Sequence, residues 1–484
     1  EHLNNTFSLC CFEIAMLRAV TIDEAFQEAG VGYGSFLMIF ISGMIFCADS
    51  AEVSLVTYMT KNAQESFALS DEEVILLEQV TFAGQLLGPV FWGRLADCWG
   101  RRPTILFCAG VVMGFGVITA CVQTFLQLMI ARAVVGFGIS GIFLSLDIAC
   151  ELVPKESAGK LSSSLNFFWP FGSVFTILCA YLFLETFGWR ALACCVTLPM
   201  FSALGLAYAF LPESPYWLLE QGREDEAMQS ITQIAELNGV KLSFNALISS
   251  PSNSTPIKAS SRKSVWKQQR RTLLILMSLW LFMAMNYLCI VLLGPMLLTK
   301  TVLVADGETN VMRQEMDFFA LSISSCSEIL SVTLCVLLLD RWGRRHFQAS
   351  FYALAGLVTF FLSFRDQLPY PAVALLVIVV RCTIFSAGCG SWLHTPEAFP
   401  VQIRATGHAA CNLMANVGRV LAPLLVSHHF SAAACSCIMA STLLGVAVLA
   451  LSVPETAGQG TRMEDFDPSA YKALRPGAGT SQQF

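Results

Sequence analysis

The sequence predicts an all-α membrane protein with twelve transmembrane helices in two pseudo-symmetric six-helix bundles. Three observations lead there. The first is a stretch that occurs twice, Asp97-Cys-Trp-Gly-Arg-Arg102 and Asp340-Arg-Trp-Gly-Arg-Arg345, each time between two long apolar segments. Two companions repeat in the same order. Glu151-Leu-Val-Pro154 pairs with Glu397-Ala-Phe-Pro400, and Pro212-Glu-Ser214 pairs with Pro454-Glu-Thr456. The second copies follow the first by 243, 246 and 242 residues, and so constant an offset marks a duplication. The second observation is composition: 55% of residues are hydrophobic and 13% charged, whereas a soluble domain carries about 25% charge. The third is a series of apolar segments, each near the roughly 20 residues that a bilayer demands of a helix.

Residues 1–34 form a polar to amphipathic tail, in which Thr21-Ile-Asp-Glu24 fits a capping box that opens a short helix ended by Gly30. The spacing predicts spans near 35–60, 73–96, 103–122, 125–150, 158–184 and 188–211. A second set lies near 271–298, 316–339, 346–364, 371–394, 404–430 and 431–452. The N-terminal bundle is therefore 35–211 and the C-terminal bundle 271–452. Residues 212–270 form a polar linker with an amphipathic helix around 222–238 and a Ser/Pro/Asn-rich run at 249–256. Residues 453–484 form a polar tail.

Loop charges set the orientation. One side collects Arg101, Arg102, Lys155, Lys160, Arg262, Lys263, Lys267, Arg270, Arg271, Arg341, Arg344, Arg345 and Arg404. The other has little beyond Lys61, Arg190, Lys300, Arg313 and Arg365. Both termini and the linker are thus expected in the cytoplasm, where the sequons at Asn4 and Asn253 would stay unglycosylated. The sequence opens on Glu1 and shows no cleavable signal peptide. The 18 cysteines lie mostly in apolar segments without C-x-x-C spacing, so they read as small apolar residues. His394, His408, His428 and His429 lack ligand spacing with acids, so no metal and no cofactor is expected. The net charge of −6 and the absence of a basic arm give no reason to expect nucleic acid.

The stretch Gly93-Arg-Leu-Ala-Asp97-Cys-Trp-Gly100-Arg101-Arg102-Pro103 joins helices 2 and 3. Glycine permits a tight turn and close helix approach, and Pro103 suits the start of helix 3. Asp97 and the arginines can make charge-assisted bonds across helix ends. The expected role is a latch that holds the two bundles together in one state and breaks in the other.

This pattern resembles the signature loop of the major facilitator superfamily, and the resemblance covers essentially residues 20–460. Arg132-Ala-Val-Val-Gly136-Phe-Gly138 resembles that superfamily's helix-4 motif. Pro212-Glu-Ser-Pro-Tyr-Trp-Leu218 and Pro396-Glu-Ala-Phe-Pro400-Val-Gln-Ile-Arg404-Ala-Thr-Gly407 resemble its sugar-porter and organic-ion branch. Thr21-Ile-Asp-Glu-Ala25 with Gly30-Val-Gly32, Ala48-Asp49-Ser-Ala-Glu52, Ser327-Glu328 before Asp340, and Thr395-Pro-Glu397 are similar to the synaptic-vesicle-two-related proteins and the bacterial niacin-type transporters. The resemblance implies the major facilitator fold and transport, and it names no substrate. Two positions depart from the family pattern. Ala158 precedes Gly159 where relatives carry Arg, with Lys155 or Lys160 as substitutes. Asn416 stands where organic-ion relatives often carry Arg, with Arg419 three residues on. The long glycosylated 7–8 loop of the synaptic vesicle glycoproteins is also absent.

An ionisable residue within a span costs roughly 2.5–3.5 kcal/mol and is a functional candidate by default. Asp49 and Glu52 share a face of helix 1; two carboxylates so close repel, so one can carry a proton. The alternative is a structural salt bridge from these acids to Arg132. Glu328 is the acid of the C-terminal half, with Arg381 in helix 10 to balance it. Asn412, Asn416 and Arg419 share a face of helix 11. Asn286, Tyr287 and Trp392 are further ligand candidates, because helices 7 and 10 border the cavity in relatives. Three acids against three arginines leave the sign of the substrate open. Gly93, Asp97, Gly100, Arg101, Arg102, Asp147, Glu151, Asp340, Gly343, Arg344, Arg345, Glu397 and Arg404 form the expected cytoplasmic gate, with Asp147 and Glu151 facing Arg404 and Glu397.

The expected function is secondary active transport of a small organic ion by alternating access, coupled to a proton. The expected protein is a monomer in the bilayer of the plasma membrane or of a vesicle. A non-transporting sensor or vesicle protein of the same fold is the alternative, followed by a sugar or phosphate carrier. No Walker loop or Ser-His-Asp arrangement points to an enzyme.

Overall fold

Twelve membrane-crossing helices arise from runs of apolar residues broken at a few turns. The computed structural model describes residues 19–456 apart from 156, 158–160, 162, 163, 245, 249–258, 307, 308, 401, 402 and 428. Asn4, Asn253, Ala158, Lys160, His428 and the tail beyond 456 lie outside the described residues. The N-terminal half comprises α1 (Tyr33–Phe67), α2 (Asp71–Trp99), α3 (Arg101–Cys121) and α4 (Phe125–Glu151). A helical run, Leu165–Phe210, completes it. Gly188 breaks that run with φ 75°, so it forms two spans, α5 (165–187) and α6 (189–210). The C-terminal half comprises α7 (Ala259–Leu297), α8 (Phe318–Trp342), α9 (Arg344–Leu362), α10 (Tyr370–Ala398), α11 (Arg404–Val426) and α12 (Ala432–Leu451). Helix α7 thus begins ahead of the expected residue 271.

Helix α4 is interrupted. Phe125–Ile139 ends in a turn at 140–142, and Phe143–Glu151 resumes. Small residues set the closest approaches. A Cβ at Gly136 would strike the Thr81 carbonyl, one at Gly172 the Cys47 carbonyl, and one at Gly418 the Leu281 carbonyl. These contacts press α4 on α2, α5 on α1, and α11 on α7. The α1/α5 and α7/α11 contacts are counterparts in the two halves.

Two small sheets complete the molecule. Strands Thr299–Asp306 and Thr309–Met316 form an antiparallel hairpin between α7 and α8, where the sequence suggested only a loop. Its foot is pinned where Lys300 and the Tyr370 hydroxyl both meet Asp317, each at 2.5 Å. Strand Ala19–Thr21 pairs in parallel with Ala246–Ile248 from the linker. Thr21 and Glu24 form the expected capping box on helix Ile22–Ala29, and Gly30 ends it. The linker helix is Glu224–Leu237.

Asn238 ties these pieces to α1: its amide oxygen accepts from Gly34 N, and its nitrogen donates to the carbonyls of Ala29 and Gly30. Asp23 accepts from Lys155 Nζ at 2.6 Å and from the Tyr216 hydroxyl at 2.5 Å. Burial pushes the Asp23 carboxyl up, but the bonds from Lys155 and Tyr216 and the Lys155 charge outweigh it and hold it below 3.8. A carboxyl depressed in this way stabilises the clamp above its unfolded pKa and loses that contribution as pH falls through the folded value. The clamp is therefore expected to hold throughout the neutral range. Hydrogen exchange over residues 19–29 should accelerate in Asp23→Asn at neutral pH, and in the natural sequence only below about pH 4.

Candidate functional site

At the turns between α2 and α3 and between α8 and α9, the two halves repeat each other residue for residue. Gly100 has φ 105° and Gly343 has φ 80°, which frees the backbone N–H groups that follow. Glu213 accepts from the N–H of Arg101 and of Arg102, at 2.9 and 3.1 Å. Glu455 accepts from Arg344 and Arg345 at the same two distances. A carboxylate at a helix N-terminus is favoured by the orphan N–H groups and the helix dipole. Glu213 and Glu455 were absent from the expected gate, although their repeat offset of 242 pointed to them.

The arginine side chains turn toward their own half. Arg101 lies 3.6 Å from Glu151 and 4.0 Å from Asp97. Arg344 lies 3.0 Å from Glu397 and 2.6 Å from Asp340. Arg102 donates to the Tyr208 carbonyl. This corrects the expected gate in which the motif bonds one bundle to the other. Glu151 and Glu397 are each taken by the arginine of their own half, and Arg404 Nε has no hydrogen-bond partner among the described residues. Asp147 is exposed. Gly93 also departs from expectation: a Cβ there would meet nothing within 4 Å, so it makes no close approach.

Deeper in, two ion pairs are fully enclosed. Arg132 donates to Glu52 at 2.8 Å, with its Nε toward Thr81. Arg381 donates to Glu328 at 2.7 Å. Arg381 follows Arg132 by 249 residues and Glu328 follows Thr81 by 247, so the arginines are counterparts. The acids are not: the C-terminal half places its acid on α8, the N-terminal half on α1. Asp49, 2% exposed, lies in the electrostatic reach of Glu52 and Arg419, and its Oδ1 has no hydrogen-bond partner among the described residues.

Between the halves lies a cavity walled by Phe46, Phe143, Trp169, Tyr287, Phe385 and Trp392, with Asn166 and Arg419 also lining it. Its free volume is about 60 Å³, far below the several hundred Å³ of an ordinary ligand site, so its walls must part to admit a ligand. The turn in α4 delivers Phe143, which stacks on Trp392 at 5.4 Å across the divide. Trp169 Nε1 donates to the Tyr287 hydroxyl at 2.6 Å, also across the divide. Arg419 donates to Gln85 Oε1 at 3.0 Å and to Asn416 Oδ1 at 2.8 Å, and Asn416 donates to the Gln85 carbonyl. Gln79 reaches the Val420 carbonyl.

Three expected ligand residues fall outside this wall: Asn286, Asn412 and Asn416, the last with its amide spent on the Gln85 carbonyl and on Arg419. Asn286 faces α12, where its amide is used by Thr442 and by the Phe282 carbonyl; the cavity face of α7 carries Met283, Ala284 and Tyr287 instead. Asn412 is buried with an Oδ1 that has no hydrogen-bond partner among the described residues, and it does not line the cavity. Trp169, Phe143 and Gln85 were not foreseen as site residues. An aromatic or amide in an apolar span carries no sequence mark that separates cavity from core.

Residues 33–465 match the family model described as sugar (and other) transporter. The chain belongs to that family. It is a multi-pass transporter of the major facilitator superfamily and not an enzyme. It is 28% identical over 417 residues to the putative transporter svop-1 of Caenorhabditis elegans, covering 84% of this chain and 79% of that one. It is 25% identical to the synaptic vesicle 2-related protein of Xenopus laevis, covering 84% and 75%. It is 26% identical to organic cation/carnitine transporter 7 of Arabidopsis thaliana, covering 84% and 87%. Its fold is similar to that of the xylose transporter XylE from E. coli in an inward open conformation, with TM-score 0.69 and 18% identity over 88% of this chain and 98% of that one.

The transporter's turn motif gives a paired prediction. Gly100→Ala would force a side chain into left-handed backbone and against the Glu213 carboxylate, costing about 1–3 kcal/mol. Gly93→Ala, in open helical space, should be neutral or up to about 1 kcal/mol stabilising. Thermal unfolding of the two variants in detergent should separate them in that order.

Proposed function

We propose that this transporter carries a small organic anion together with a proton, by alternating access of the cavity to the two sides of a membrane. The observation that carries the reading is the charge balance of the cavity wall. Arg419 is the one charged side chain among the described residues that line it. Glu52 and Glu328 are paired with buried arginines off the cavity wall, and Asp49 lies within electrostatic reach of Arg419. An organic cation, as the name of the Arabidopsis relative would suggest, would meet a guanidinium with no lining acid to receive it. Aromatic walls favour a flat apolar body on the anion. While Asp49 is ionised it offsets Arg419; when it takes a proton, the guanidinium is free to hold the anion. Anion and proton then bind together.

Alternating access fits the same geometry. The latches close within each half, so each half can rock as a body while the contacts at the divide are exchanged. The arginine-rich loops favour a cytoplasmic latch face and cytoplasmic termini under the positive-inside rule. Likeness to synaptic vesicle 2-related proteins favours a vesicle membrane over the plasma membrane.

The test is uptake of labelled benzenesulfonate into proteoliposomes. This probe stays anionic at every working pH and does not leak across as a neutral acid. An inward proton gradient should stimulate uptake several-fold, and Arg419→Gln should abolish it. In the combined Asp49→Asn, Glu328→Gln variant, uptake should ignore the gradient. Uptake of a quaternary amine in place of the sulfonate would contradict the anion reading.

A further inference from the structure

We infer that the Tyr287 hydroxyl reports the charge of Glu328 to the cavity, so that one O–H is shared between a buried acid and the bound anion. This rests on the proton-coupled anion reading above and assigns Tyr287 as a specificity-determining residue.

The geometry is a chain of three bonds that runs from the C-terminal half into the divide. Arg381 Nε donates to Glu328 Oε1 at 2.7 Å. The Tyr287 hydroxyl donates to that same oxygen at 2.8 Å. Trp169 Nε1 donates to the Tyr287 oxygen at 2.6 Å. Glu328 is 0% exposed and does not touch the cavity, whereas Tyr287 lines it. The tyrosine is therefore the only member of the Arg381–Glu328–Tyr287 set with both an acid behind it and ligand space before it. Other groups near the acid are Cys382 and Cys389 on α10, and Tyr58 acts on Arg381 from α1. The Glu328 Oε2 atom has no hydrogen-bond partner among the described residues, so it has room to take a proton.

A phenol has one proton to donate. Hydrogen bonds to a charged acceptor are roughly twice as strong as those to a neutral one. With Glu328 ionised, the carboxylate holds the Tyr287 O–H, and the cavity sees only the tyrosine oxygen, which repels an anion. With Glu328 protonated, the stronger acceptor is the anion, and the O–H turns to it. Arg381 stays with the neutral acid through the carbonyl oxygen. The Trp169 donor remains available to the tyrosine oxygen in both states, which keeps the ring placed between the halves.

The test is equilibrium binding of labelled benzenesulfonate to the purified full chain at about pH 5.5 and about pH 8. Tyr287→Phe, which removes one oxygen, should weaken binding by roughly tenfold at the acid pH and by less than about twofold at the alkaline pH. In a Glu328→Gln background, where the partner is always neutral, the Tyr287→Phe loss should be roughly tenfold at both. Trp169→Phe should leave the pH dependence in place. An equal Tyr287→Phe loss at the two pH values in the natural background overturns the inference, even if the glutamine variant does not fold. If the natural sequence itself binds equally at both pH values, the proton-coupled reading fails and the inference with it. If its binding is pH-dependent but the Tyr287→Phe loss is not, only the role of Tyr287 fails.

Discussion

Two buried carboxylate–guanidinium pairs, Glu52–Arg132 and Glu328–Arg381, brace the two halves from within, one in each. A charge at that depth survives only with its partner, and removing one member of such a pair costs about 3–5 kcal/mol. The pairs cross-brace their bundles: α4 to α1 in one half, α10 to α8 in the other. They also fix what is left over. With Glu52 and Glu328 off the cavity wall, Arg419 is the charged side chain that lines the cavity among the described residues, and Asp49 and, through Tyr287, Glu328 are the groups proposed to modulate it.

The same separation holds at the latch face. Each arginine of the repeated motif bonds within its own half, and a carboxylate from the end of that half caps the helix it starts. The motif therefore hardens a bundle instead of stapling two together. Contacts across the divide are of another kind: Phe143 on Trp392, Trp169 on Tyr287, Gln85 with Asn416 and Arg419. They are ring contacts and side-chain hydrogen bonds, and no ion pair crosses the divide among the described residues. Rigid halves joined by exchangeable contacts are what a rocking motion requires.

The duplication and the twelve spans were legible because both rest on periodic signals that lipid enforces: apolar length, loop arginines and a constant offset. The pairing of Glu328 with Arg381 was legible for the same reason, since a charge in a span needs a partner. What the sequence hid was direction. Glu151 and Glu397 looked able to cross the divide, and only the fold shows that Arg101 and Arg344 reach them first. Of the two neighbours expected on α7, Tyr287 lines the cavity and Asn286 does not, because one residue turns a helical side chain by about 100 degrees, from cavity to bundle interior. The hairpin between α7 and α8 was unmarked, because its two eight-residue strands carry several polar residues and lie between much longer apolar spans.

The central claim, that the halves are internally latched bodies moving against each other, is open to one direct measurement. Spin labels at Cys98 and Arg341, exposed at the motif turns of opposite halves, report the distance across the divide; labels at Cys98 and Tyr208 report a distance within one half. Saturating benzenesulfonate should shift the first distribution and leave the second unchanged. A ligand-dependent change within the half, with the cross-divide distance fixed, would contradict the account.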